Sequence, residues 1–269
     1  MLRRIVTTVP APTPLVHTRF AQRIATITLD RPEKRNALTD EMLNQLIGAL
    51  DTVEADPDVR VVLLRGNGSS FCSGVDLGEK LAHRGADGSV EFARLVEAFE
   101  RLDAHPNPTI AILQGTSLAG GWELALHCDI RFAAPDARFG MPLARLGLVV
   151  PYQAAARLVQ IAGIAATTDL LLSADLIDGT RAHQLGLVTH LAAVHDLEAA
   201  ATAHAERISA LAPLAVREMK RLLRRVAPMP DRATVQEFDE ARRRITGSAD
   251  TEEGLRAFLE RRAAHFVGR

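Results

Sequence analysis

Two stretches of small residues are placed where a backbone could do chemistry. One runs Asn67-Gly68-Ser69-Ser70-Phe71-Cys72-Ser73-Gly74-Val75-Asp76-Leu77, the other Thr116-Ser117-Leu118-Ala119-Gly120-Gly121-Trp122-Glu123-Leu124. Each follows a short apolar segment that ends in a glycine, Gly66 or Gly115. Such turns aim backbone N–H groups into a cleft, and a helix opening after Gly120-Gly121 adds its partial positive end. Two facing N–H groups are what a developing oxyanion needs. The same glycines would serve equally if they only made tight turns. Other motif readings fail on detail. Gly66-Asn67-Gly68 begins like a dinucleotide loop, but Phe71 holds the third glycine position and no helix opens there. Gly115-Thr116-Ser117-Leu118-Ala119 approaches a nucleophile elbow, yet Ala119 replaces the last glycine and no downstream histidine has an evident partner. Asn67-Gly68-Ser69 is a formal glycosylation sequon, which carries no weight without a signal peptide.

The elements that must hold these loops form a repeat. Residues 49–66 and 98–115 align without gaps, with identities at Ala49/Ala98, Ala55/Ala104, Pro57/Pro106, Leu64/Leu113 and Gly66/Gly115. Each copy reads as a helix end, a proline turn, a short apolar strand and a terminal glycine. Met42, Leu43, Leu46, Ile47, Leu50 and Val53 share one helical face, as do Phe92, Leu95, Val96, Phe99 and Leu102. Val61–Leu64 and Thr109–Leu113 lack polar alternation, so both strand faces are expected to be buried. Stacked units of this kind predict a spiral or layered α/β core. Arg23–Leu29 alternates like a strand. Val9–Pro14 is a loose, proline-rich lead, and the acid-free, arginine-bearing start could also be read as a transit peptide. The strand pattern leaves little room for a presequence. From residue 196 the pattern is helical only (196–211, 213–226, 231–246 and 251–264), broken at Pro213, Pro228, Pro230 and Gly247. A helical appendage with apolar faces often packs on a neighbouring subunit.

Composition sets the outer bounds. The 269 residues are 47% hydrophobic with a formal charge of -1, enough apolar material for a core. Near-zero charge argues against nucleic acid or an anionic membrane as main partner. No uninterrupted apolar run approaches the roughly 18 residues of a membrane span. Cys72 and Cys128 are too few for a disulfide framework or a thiolate zinc site, so a cytoplasmic setting is expected. Three of the 32 basic residues are lysines, which looks like a coding bias.

From about residue 15 to its end the chain resembles the enoyl-CoA hydratase/isomerase (crotonase) superfamily. The resemblance is carried by Leu29–Leu38, by Phe71–Leu77 and most specifically by Gly115–Ile130, with Gly186-Leu187-Val188 and Gly254–Arg262 also fitting. It implies an α/β spiral of repeated ββα units (15–195) after a flexible lead (1–14), then a C-terminal helical trimerisation region (196–269). It implies homotrimers, or hexamers as dimers of trimers, and a coenzyme A thioester as substrate with no separate metal or redox cofactor. By position, the N–H groups of Val75 and Gly120 would form the oxyanion hole. Val75, Asp76, Leu77, Gly78 and Gly120 would contact the acyl-CoA, and Ala37 would join them. Lys34 and Arg35 would lie near the CoA phosphates, although as exposed cations they could equally serve solubility.

The same resemblance makes Glu123 one of the two catalytic glutamates. Apolar surroundings would raise its pKa while the helix start would lower it. The second glutamate should follow Pro142, where Leu143 stands instead. Leucine can neither transfer a proton nor hold a water, and losing an acid or base costs about 10²–10⁴-fold. The stretch Val150–Arg157 also departs, with alanines in place of a glycine pair. Tyr152 or Gln153 could supply a polar group there. Arg145 and His83 are further candidates that read better as surface residues. The expectation is therefore an acyl-CoA enzyme stabilising an enolate, in its commonest form a 2-enoyl-CoA hydratase. Isomerisation, decarboxylation and acyl-CoA binding without catalysis are the alternatives.

Overall fold

The computed structural model describes residues 14–82, 92–226 and 232–268. The lead read over 1–14 lies, apart from Pro14, outside the described residues, as does His83. The chain opens with a hairpin of β1 (Val16–Ala21) and β2 (Ile24–Leu29), joined by Gln22 and Arg23, both with positive φ. A two-residue turn of that hand matches the twist of the strands it joins. The sequence pattern found β2 but not β1, whose exposed residues give no apolar alternation.

β2 is followed by α1 (Asp40–Ala55), capped by Thr39, whose hydroxyl accepts from the Met42 N–H. Its buried residues are the six apolar ones expected from the spacing. The chain continues through β3 (Val61–Gly66), α2 (Leu77–Ala82), α3 (Ala93–Ala104) and β4 (Thr109–Leu113). β3 and β4 are parallel neighbours with Val62 opposite Thr109, and α1 packs against α3. The two repeat copies thus lie side by side, both strands buried on both faces except at Arg65. β5 (Thr116–Leu118), α4 (Gly120–Leu126), β6 (Ile130–Ala133) and β7 (Arg138–Gly140) come next. They lead to α5 (Tyr152–Ser173), β8 (Ile177–Asp178), α6 (Gly179–Gln184) and β9 (His190–Leu191).

One sheet runs β1-β2-β3-β4-β6-β9, parallel beyond the first pair, and a second runs β5-β7-β8. Isolated bridges join Leu38 to Val75 and Cys72 to Ser117. Successive coils therefore step from the large sheet to a second layer, and the small-residue loops make that step. Trp122 and Phe139, both fully buried with ring centroids 4.6 Å apart, pack in this second layer.

The all-helical stretch comprises α7 (Leu197–Ser209), α8 (Pro213–Val226), α9 (Arg232–Thr246) and α10 (Ala249–Glu260). α7 lies against β3 and β4. α8 is tied down by Lys220, whose ammonium meets Asp129 at 2.6 Å and the Asn107 carbonyl at 2.8 Å, while Leu214, Leu222, Leu223 and Val226 stay exposed. α9 packs on α5. α10 lies so close to the turn Pro142–Leu146 that a Cβ on Gly254 would meet Leu146 backbone. α5 departs from one expectation, since its length and composition suffice to cross a bilayer. It is not a membrane span: it breaks at Gly163 (φ 78°, ψ 164°), and Arg157 in its second turn pairs with Asp103 at 2.6 Å.

Candidate active site

The bridges between layers bring Val75 and Gly120 together. Val75 is bracketed by two backbone bonds, Leu38 N–H to the Gly74 carbonyl at 2.8 Å and Asp76 N–H to the Leu38 carbonyl at 2.9 Å. A Cβ added to Gly120 would lie 3.4 Å from Val75 Cγ2. Neither the Val75 nor the Gly120 N–H has an acceptor among the described residues. Ala119, just before Gly120, is held at φ 46°, ψ -125°, a conformation that suits glycine. Its own N–H donates to the Gly140 carbonyl at 2.9 Å. A strained residue kept by a well-bonded frame is typical of a backbone posed for function. Close packing holds the frame, because a Cβ on Gly121 would run into the Cys72 carbonyl.

Lys34 and Arg35 are exposed in a short turn, Pro32–Lys34, and in the left-handed residue that ends it. Beside them is a residue that the sequence reading did not single out, Asn36. It is wholly buried and donates to the carbonyls of Asn67, Ser70 and Phe71 at 2.9, 2.8 and 3.1 Å, while its oxygen accepts from Arg31 N–H. Ala37 is half-buried, and its carbonyl accepts from the Arg31 guanidinium at 3.2 Å. The same guanidinium holds Asp76 at 2.7 Å. Burial pushes the Asp76 carboxyl up, but Arg31 and the N–H groups of Glu79 and Gly78 bring it below the ordinary carboxylate range. Asp76, expected as a ligand contact, is thus already committed to fastening the Val75 loop. Leu77 lines a small cavity with Lys80, Leu81, Phe92, Leu148, Thr246 and Leu255, the Lys80 ammonium being paired with Asp40 at 2.6 Å, and Gly78 is exposed.

Glu123 lies in the first turn of α4 and is 4% exposed. Burial pushes its carboxyl up to about 8, with the charge of Arg242 pulling the other way. Leu143 is half-buried and packs against the core. Tyr152 packs on Phe238 of α9, with ring centroids 4.8 Å apart, and Gln153 is half-buried next to it. Arg145 is a surface residue paired with Asp175 at 3.2 Å. A larger cavity of about 520 Å³ lies under α8, away from these loops, bordered by Asp103, His127, Arg157, Lys220 and Arg224. Its charges are spent on one another: His127 and Arg157 on Asp103, Lys220 on Asp129. Arg242 went unnoticed in the sequence because nothing local marks it. Only the fold of α9 over α5 brings it to the site.

The family model described as enoyl-CoA hydratase/isomerase matches residues 19–269. A Thermus thermophilus protein, provisionally named an enoyl-CoA hydratase, is 37% identical over 248 residues, which are 90% of this chain and 97% of that one. A solved enoyl-CoA hydratase/isomerase from Xanthobacter autotrophicus Py2 is 32% identical with a TM-score of 0.81, covering 95% of this chain and 99% of its own. A methylmalonyl-CoA decarboxylase complexed with 2S-carboxypropyl CoA superposes with a TM-score of 0.87 at 27% identity, covering 96% and 100%.

Proposed function

This chain belongs to the enoyl-CoA hydratase/isomerase family, with the crotonase-like fold, and from that premise we propose that it processes acyl-CoA thioesters by stabilising a thioester enolate between the N–H groups of Val75 and Gly120. Glu123 moves the proton at the α-carbon. The observation that carries this reading is one buried carboxyl, a single turn along α4 from Gly120, together with two N–H groups that have no acceptor among the described residues. As the carbonyl oxygen gains charge, both donors strengthen their bonds to it in a water-poor site. The chemistry needs no metal or redox group, and a cytoplasmic setting belongs to the same reading.

In its commonest form the reaction adds water across a 2-enoyl-CoA. The hydroxyl joins the β-carbon, the electron pair moves to the thioester oxygen, and Glu123 delivers the proton to the α-carbon. Water must also lose a proton, and Leu143 cannot take it. A second reading avoids that need, namely decarboxylation of a carboxyacyl-CoA. There the C–C bond breaks toward the enolate, carbon dioxide leaves, and only a proton donor is required. Glu123, pushed up to about 8 by burial, is largely protonated at neutral pH, which favours this second form. The similarity to a decarboxylase holding a carboxypropyl CoA supports it as well.

Loss of enoyl thioester absorbance and release of carbon dioxide, measured over short, medium and long substrates, tests both forms. Glu123→Ala is expected to lower turnover about 10²–10⁴-fold, and Leu143→Glu to raise hydration specifically. Binding of acyl-CoA without turnover of any thioester would make the protein a binder, not an enzyme.

A further inference from the structure

We propose that Arg242 is a specificity residue of this cleft, receiving a carboxylate on the acyl group, so that the preferred thioesters are those of dicarboxylic acids. The inference rests on the acyl-CoA reading above and deepens it.

The placement follows from three residues of α9 on one helical face, Phe238, Arg242 and Thr246, each one turn from the next. Phe238 packs on Tyr152, at the start of α5. Thr246 lines the small cavity that Leu77, at the end of the Val75 loop, also lines. Arg242 lies between these two contacts, and its charge is felt by the buried Glu123 carboxyl. Arg242 of α9 therefore lies between two contacts made at the edge of the site, near enough for its charge to reach the Glu123 carboxyl.

That guanidinium is mostly desolvated, with 22% of its side chain exposed. Its Nε donates to Asp239 at 3.2 Å. Among the described residues no other carboxylate pairs with it, so the fork of its two terminal amino groups is unspent. Glu123, largely neutral near pH 7, is a poor counterion. Leu143 and the leucines at 77, 81 and 148 offer none. A guanidinium fork matches a carboxylate in geometry as well as charge, and its other edge is already fixed by Asp239. A neutral acyl chain would leave this donor pair without a partner when it expels water from the cleft.

Calorimetry with matched thioesters tests the proposal, because malonyl-, succinyl- and glutaryl-CoA share their CoA moiety with propionyl-, butyryl- and valeryl-CoA. Wild type is expected to bind at least one dicarboxylic thioester roughly 10–100-fold tighter than its neutral counterpart, the range of one charged hydrogen bond. Arg242→Met should erase that ratio while leaving neutral thioesters bound, and Arg242→Lys should restore part of it. An equal loss for both sets would assign Arg242 to the CoA phosphates and overturn the proposal. So would an unchanged ratio, or a wild-type preference for neutral chains. If wild type binds no CoA thioester at all, the acyl-CoA reading itself fails and this inference falls with it.

Discussion

Glu123 sits buried in the first turn of α4, and burial pushes its carboxyl up to about 8. Two consequences follow for pH. As a proton donor Glu123 is competent below about 8, so donor-limited turnover should fall as pH rises through that value. In stability the folded state binds the extra proton, because its carboxyl titrates above the ordinary 4.5. Stability is then greatest below 4.5, declines as pH rises toward 8, and stays reduced beyond. Melting temperatures of Glu123→Gln against wild type across this window should show the decline in wild type only. Glu123 was visible only through the resemblance of Gly115–Ile130 to the family's segment, and its apolar neighbours Trp122 and Leu124 did not reveal how completely it is buried. Asn36 and Arg242 were less legible. An amide that joins three carbonyls across loops, and a cation delivered by a distant helix, have no local spacing to betray them.

At the scale of elements, the donors depend on how closely the two small-residue loops pack. Cys72 and Ser117 bridge them, and Gly121 is one point where the backbones approach closely, its missing Cβ leaving room for the Cys72 carbonyl. Gly121→Ala should cost about 1–3 kcal/mol, the usual range for overpacking, and should abolish acyl-CoA binding in calorimetry. Gly48→Ala is the natural comparison, since a Cβ there meets nothing within 4 Å. On an exposed helix position it should stabilise by roughly 0.5–1 kcal/mol. Helices were the most legible elements, because the buried face of α1 is written in its spacing. The repeat also announced that β3 and β4 are buried and alike. What the strands' sequences did not reveal is the second layer, since β5, β7 and β8 are two or three residues long and carry no periodicity.

At the scale of the whole molecule, α8 exposes Leu214 and, along one face, Met219, Leu222, Leu223 and Val226. A soluble chain rarely leaves so many large apolar side chains uncovered on one helix. The family's oligomeric habit gives the expected cover, a homotrimer or a pair of trimers. Sedimentation should find such an assembly, and Leu222→Glu with Leu223→Glu should dissociate it toward monomers. A monomeric wild type would refute the expectation.

The placement of α9 and α10 has a consequence in time. Ribosomes make chains from the N-terminus, and early parts can fold before late ones exist. The loops carrying Val75 and Gly120, and Glu123 itself, leave the ribosome well before Arg242 and before Thr246 and Leu255, which line the small cavity beside Leu77. A nascent or truncated chain would hold its donors and its acid in an open trough, able to touch a thioester but not to enclose it. On the role proposed for Arg242, selectivity is the last property this protein would acquire during its synthesis.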